Sequence, residues 1–393
     1  MFLKLSNIFL VILLFTACTS IVKVENEMSG NLEASMGLVE IGERAFLLDD
    51  STAPKPIYTQ MFKNYNGAKY LTFLNKFNNS IYFYDYDSLQ FVKKIVWPKN
   101  GPKGIGAATG YHVKSLDSIY IYNKSNIEIV LSNEKSMVLD RITLCGNRKD
   151  INWLFRYPQY DPRTVKPFIE TAHELLLTGF YFGSIPESIV SDFKFTARLD
   201  FKTNGVAFSH TYPLSLYGFG YNWEGDLFTE VYSDLHPDGD KLILSFPVSH
   251  DLYIADLKTG EYQKTYAGSN FASTISSINK KLKRSSKNDL LLNIVVQDEY
   301  TAIKYDKYRN VYYRFLLKSI PVNIKSVDWK EKPIAVIIFD ENFNYLGETV
   351  IGTGENWYWQ NSFVTEEGLN IEYIDNDLEE KYLRFRIFVV QNL

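Results

Sequence analysis

The 393-residue chain carries 42 basic against 46 acidic side chains, a formal net charge of −4, which excludes the basic excess needed by a protein that tracks a nucleic-acid backbone. Hydrophobic residues make up 46% of it, enough for one large domain or two medium ones, and 28 Tyr and 27 Phe dominate an aromatic fraction of 16% that suits the half-buried faces of β-sheets. There are two cysteines, Cys18 and Cys145, so modification of the first excludes an intramolecular disulfide and leaves the fold to its core.

Lys4 precedes an apolar run, Ile8 to Phe15, in the order of a secretory signal peptide. The run is shorter than the ~20 residues of a membrane span. Its end, Phe15-Thr16-Ala17-Cys18, resembles the lipobox of bacterial lipoproteins, with Phe15 in place of the usual Leu. The resemblance implies cleavage before Cys18, a diacylglyceryl thioether on its sulfur and an amide-linked acyl chain such as palmitate. More than one chain gives stable anchoring at ~0.8 kcal/mol per buried methylene. The other readings are an ordinary signal peptide with an incidental cysteine, or an uncleaved anchor. Thr19 stands where lipoproteins held at the inner membrane carry Asp, which implies the outer membrane with its leaflet open. Residues Thr19 to Ala34 are mostly polar and read as a flexible tether. The expected organisation is a signal peptide over 1–17, lipidated cysteine and tether over 18–35, and one domain over 36–393.

Within that domain one pattern recurs: two alternating apolar runs joined by an Asp/Asn/Lys/Gly turn. It appears at Ser80 to Trp97, Asn126 to Leu144, Phe195 to Tyr212, Asp251 to Ala267 and Ile334 to Ile351. Each predicts a β-hairpin. Further strand-like runs, such as "AKYLTFLN", "SIYIYN", "KLILSFP" and "VYYRFLL", precede the hairpins and raise each unit to four antiparallel strands, the size of a propeller blade. Cys145 to Thr164 and Ser269 to Asp289, the latter with a weak helical pattern, read as insertions on one loop-rich face. After the fifth hairpin the chain offers about three strands, and the alternating stretch Met36 to Leu48 supplies the fourth by closing the ring. The fold class is therefore all-β, a six-bladed β-propeller, with seven blades as the alternative.

The fourth unit, Asp234 to Tyr266, resembles the TolB-like propeller repeat through Pro237-Asp238-Gly239 and Asp256-Leu257-Lys258-Thr259-Gly260. The mature chain as a whole, including Tyr305 to Phe315 and Phe339 to Glu348, resembles an uncharacterised lipoprotein family of Gram-negative anaerobes, the domain of unknown function 4221. That resemblance implies a six-bladed propeller and a lipid anchor, and supplies no activity.

No nucleophile elbow, phosphate loop, zinc spacing or calcium loop occurs, and the five histidines are scattered, so no catalytic residue, metal ligand or cofactor is assigned. "HPDGD" (His236 to Asp240) and "DYDS" (Asp85 to Ser88) group carboxylates in turns, as structure requires or as a cation site would. The basic cluster Lys280 to Lys287 reads as a solvated loop or helix cap, or as a contact for anionic lipid or polysaccharide. Trp357 and Trp359, two apart in "ENWYWQN", share a face of a strand and form either a stacking platform for a ligand or packing between blades. The expected function is an outer-membrane-anchored propeller that binds a glycan, a peptide or an envelope protein. The alternative is an envelope hydrolase or lyase whose carboxylates gather in the channel from several blades.

Overall fold

The computed structural model describes residues 22–52, 56–146, 153–218, 220–221, 223, 226–278, 287–321, 328–375 and 381–393. All five expected hairpins form, pairing Ser80–Asp85 with Phe91–Val96, Glu128–Ser132 with Val138–Thr143, Lys194–Asp200 with Val206–Thr211, Asp251–Asp256 with Tyr262–Tyr266, and Pro333–Asp340 with Tyr345–Thr353. Four of their turns share one device. An Asp closing the first arm accepts backbone N–H groups two to four residues on: Asp85 from Ser88 at 2.7 Å, Asp200 from Thr203 at 2.8 Å, Asp256 from Lys258 and Thr259 at 2.7 Å, and Asp340 from Asn342 at 2.9 Å.

Each hairpin is the outer half of a four-stranded antiparallel sheet, and a sixth such sheet completes the ring of blades. The innermost strands are Thr59–Lys63, Gly110–Ser115, Ile169–Glu170, Tyr232–Leu235, Glu299–Asp306 and Trp357–Val364, in blades one to six. Closure is as expected. Met36–Leu47 is the outermost strand of blade six and pairs with Tyr382–Asn392 from Met36↔Asn392 to Leu47↔Tyr382. It buries Leu38 and Phe46, and Arg384 and Arg386 bridge to Glu43 and Glu40 on its solvent side. Gly347 of blade five, at φ +156°, lets the entering backbone pass, since a Cβ there would lie 1.8 Å from the Met36 carbonyl oxygen.

Because the strands of a blade alternate in direction, the segments that join one blade to the next, and the second strand of a blade to its third, all emerge on one face. The long connections are of this kind: 48–58, 97–109, 144–168, 179–193, 212–231, 267–298, 318–332 and 374–381. The opposite face carries short turns such as 64–68, 133–137 and 307–310. We refer to the loop-rich face and the turn face. The helical pattern expected in Ser269 to Asp289 lies further along the chain, as the helix Lys287–Val296.

The expected tether is not free over its second half. Lys23–Val24 pairs with Ile275–Ser276, and Asn26 Nδ2 donates to the carbonyls of Ser269 and Ala272, both at 2.8 Å, while its Oδ1 accepts from Tyr266 Oη at 2.8 Å. The polar character that suggested solvation here serves the pinning itself, because the Asn26 amide donates both its protons into the connection before blade five and accepts from the strand ahead of it. Residues 1–21, with the expected signal sequence, Cys18 and Thr19, lie outside the described residues, as does the basic cluster short of Lys287.

The strap is also tied to a buried histidine. Ser269 N–H donates to Tyr300 Oη at 2.9 Å, Tyr300 Oη lies 2.8 Å from His250 Nδ1, and His250 Nε2 lies 3.2 Å from the Val24 carbonyl oxygen. That carbonyl only accepts, so Nε2 carries the proton and Nδ1 accepts from the tyrosine. Burial pulls the His250 pKa down to about 4 from an ordinary 6.5, with Arg314 nearby adding to the effect and the Val24 contact opposing it. Unfolded His250 therefore binds a proton through a pH window in which the folded form does not, and stability falls as pH drops from about 6.5 to about 4. The loss is expected to be roughly 2–4 kcal/mol from this residue. Chemical denaturation at pH 7 and pH 4.5 measures it, and His250→Gln is expected to flatten the slope. An unchanged slope would remove His250 from this role.

Candidate functional site

The insertion 144–168 does not simply project as an extra loop. Its last residues enter the mouth of the channel and meet four blades. Thr59 N–H donates to Thr164 Oγ1 at 2.8 Å, Thr164 Oγ1 lies 2.5 Å from Asn361 Oδ1, and Lys304 Nζ donates to the Thr164 carbonyl at 2.9 Å. Lys166 forms a buried ion pair with Glu230 at 2.7 Å. Asn361 Nδ2 donates to Glu372 Oε2 at 2.6 Å. With these groups satisfied by one another, residues 163–166 form a polar plug across the ring.

Beside the plug, on the loop-rich face between blades four, five and six, lies a cavity of about 540 Å³. That is within the range of small-ligand sites. Its aromatic lining comes from Tyr358 and Trp359 on the inner strand of blade six, Tyr232 on that of blade four, and Trp329 on the short helix Trp329–Glu331. Leu291 and Ile294 of the helix Lys287–Val296 and Leu317 add aliphatic surface. The ionisable lining is Arg163, Glu230, Glu299, Lys330, Lys332 and Glu355.

Several of these charges are already held. Arg163 donates to Asp161 through Nε at 2.9 Å and through Nη2 at 2.5 Å, and to Gln360 Oε1 through Nη1. Burial works against its charge, but Asp161 and Glu230 outweigh burial and hold the guanidinium above its ordinary pKa. Lys332 Nζ donates to the carbonyls of Ile294 at 2.8 Å and Gln297 at 2.9 Å and stands 3.7 Å from Glu299. Burial raises the Glu299 pKa, Lys332 opposes this and Glu230 adds to it. Burial likewise lowers that of Lys332. The result is a fixed array of donors and acceptors around an aromatic pocket.

The structure separates the two tryptophans. Trp359 is 4% exposed, packs against Tyr232 and Phe315 and lines the cavity. Trp357 is not among the lining residues. It sits between blades five and six, against Tyr373 and Phe388, where Gly352 at φ +141° leaves room that a Cβ would take at 2.4 Å from the indole nitrogen. The "DYDS" and "HPDGD" segments are turns on the opposite face. In the second, Asp238 pairs with Lys241 at 3.1 Å and Gly239 takes φ +79°. Among the described residues, no group of three or more His, Cys, Asp or Glu side chains is arranged to hold a metal ion.

The fold is shared with solved structures. A crystal structure of a DUF4221 family member from Bacteroides vulgatus ATCC 8482 is 20% identical, with a TM-score of 0.75 over 91% of this chain and 99% of that chain. A Bacteroides fragilis NCTC 9343 protein, provisionally described as exported, is 12% identical with a TM-score of 0.52 over 91% of this chain and 95% of that one. Among curated proteins, none matches the chain. Residues 35–350, from the closing strand into the outer strand of blade five, match the family described as Domain of unknown function (DUF4221), and the chain belongs to that family.

Proposed function

We propose that this protein is an outer-membrane lipoprotein, acylated at Cys18, whose loop-rich face binds a short glycan in the cavity beside the plug. The observation that carries the binding reading is the pairing of an aromatic lining with prepositioned polar groups: Trp359, Tyr358 and Trp329 suit the apolar face of a sugar ring, while Glu230, Glu299 and Arg163 suit its hydroxyls. Export is supported by the signal-like leader and by the description of the Bacteroides fragilis neighbour as exported.

Trp329 separates binding from stability because it is 44% exposed at the cavity rim. Trp329→Ala is expected to leave the thermal melt nearly unchanged, within ~0.5 kcal/mol, and to weaken glycan affinity about tenfold. Trp359→Ala is expected to cost ~3–5 kcal/mol of stability as a large-to-small core change. A glycan array followed by calorimetry makes both measurements. An array that retains no glycan, or retains it equally with Trp329→Ala, would sink the reading, and selective retention of peptides would replace glycan by peptide.

The anchor has its own test. Cys18→Ser is expected to lose incorporation of an acyl-chain analogue in growing cells, and a labelled variant would refute acylation at that residue.

A second reading, a hydrolase or lyase, draws on Glu299, a buried carboxyl held toward its protonated form in the same cavity as Glu230. Turnover of a bound oligosaccharide that vanishes in Glu299→Gln while binding persists would favour it.

A further inference from the structure

Val22 lies on the loop-rich face. The Val22 N–H donates to Ser277 Oγ at 3.1 Å, and its carbonyl accepts from Ser277 N at 2.8 Å. Ser276 N–H donates to Gln297 Oε1 at 3.0 Å, and the Gln297 carbonyl accepts from Lys332, a lining residue of the cavity. The strap thus meets the propeller on the insertion that flanks the cavity. Cys18 is four positions upstream of Val22, a span of at most about 14 Å even when fully extended. A lipid on Cys18 would hold this face within that distance of the bilayer.

An independent observation concerns the surface itself. Large apolar side chains are exposed on the connections of this face: Phe77, Phe155, Phe182, Phe271, Leu291 and Trp329. They arise from five connections, 76–79, 144–168, 179–193, 267–298 and 318–332. Phe and Trp distributed around a rim, beside Leu, are the residues that enter the headgroup–acyl boundary of a bilayer.

We propose that the loop-rich face is the membrane-facing surface of this protein, its apolar rim seated in the interfacial zone of the bilayer and its cavity opening toward the membrane. The inference rests on acylation at Cys18 and is independent of what the cavity binds. The anchor supplies the attachment, and the rim fixes the orientation.

The test uses the acylated full-length protein in vesicles of phosphatidylethanolamine and phosphatidylglycerol carrying a nitroxide-labelled lipid quencher. Environment-sensitive fluorophores are placed singly at Phe77→Cys or Phe182→Cys on the loop-rich face and at Tyr65→Cys or Met137→Cys on the turn face. All four native side chains are exposed, and the remaining thiol, Cys145, is buried. Labels at 77 and 182 are expected to lose most of their fluorescence to the lipid quencher and to be shielded from aqueous iodide, with the reverse at 65 and 137. Equal quenching on both faces, or the reverse pattern, overturns the orientation. Labels at 77 and 182 that stay open to iodide also overturn it and leave the rim to a protein partner. If the wild-type protein fails to float with the vesicles, the anchor at Cys18 fails and the orientation falls with it, a result distinct from flotation with the wrong pattern.

Discussion

A chain that begins at residue 48, lacking Met36–Leu47, is expected to fail to fold into a closed propeller, whereas a chain that begins at residue 35 is expected to fold with reduced stability. The closing strand pairs along its whole length with Tyr382–Asn392 and buries Leu38 and Phe46, the latter in edge-to-face contact with Tyr84 of blade one and Phe385. Its loss would forfeit those backbone hydrogen bonds and open the contact between blades six and one, a combined loss comparable to the ~5–15 kcal/mol that holds a domain folded. It would also leave Tyr382–Asn392 as an unpaired edge, which invites pairing between copies. The shorter truncation removes only the strap, with Asn26 and the Val24 contact to His250. Size-exclusion profiles and thermal melts of the two truncations decide the matter. A monomeric, cooperatively melting chain from residue 48 would show that closure does not depend on this strand.

The blades were legible because their information is local. Each of the five hairpins carries its own alternation and its own Asp- or Asn-led turn, so Asp256 to Gly260 marks a turn whatever surrounds it. The innermost strands carry less: Ile169–Glu170 is two residues long and has no periodicity to read. The order of residues 23–34 is hard to read from the sequence for a related reason. Between Lys23 and Ala34 the sequence lacks an apolar pattern, and its order comes from Asn26 reaching Ser269 and Ala272 more than 240 positions away.

The cavity was not legible at all. Arg163 and Gln360, which meet at its wall, are 197 positions apart, and Lys166 and Glu230 are 64 apart, so no window of sequence contains the constellation. Only Trp359 among the expected platform residues reaches the lining. Alternation alone cannot tell which gap between blades an inward side chain will enter, and here Trp357 is taken up by Tyr373 and Phe388. The aromatic signal in "ENWYWQN" falls on a strand that lines the cavity and also packs between blades, since an inner strand at a cavity mouth and an inter-blade core draw on the same residue types.

The second large effect is expected at Arg314, where replacement by Met should cost about 5 kcal/mol or prevent folding altogether. Arg314 lies on the second strand of blade five, is fully buried, and has no carboxylate partner within ion-pair distance among the described residues. Its guanidinium instead spans to blade four. Nε donates to Ser245 Oγ at 3.0 Å, Nη1 to the carbonyls of His250 at 3.2 Å and Ala267 at 2.7 Å, and Nη2 to that of Ser249 at 2.8 Å, with the ring of Tyr300 at 3.9 Å beneath. Burial lowers its pKa to about 10, opposed by Tyr300 and Asp251, so it stays protonated at neutral pH. Methionine fills similar space but leaves those carbonyls dry and unpaired, and each orphaned group costs ~1–3 kcal/mol. Lysine keeps the charge without the planar fork, so Arg314→Lys is expected to recover only part of the loss. Denaturant melts of both variants measure the cost, and hydrogen exchange at 267–277 reports whether the strap loosens with it, as the shared His250 contact requires. A Met variant within ~1 kcal/mol of wild type would mean that the blade four carbonyls find water or other donors, and that the joint between these blades is made by apolar packing alone.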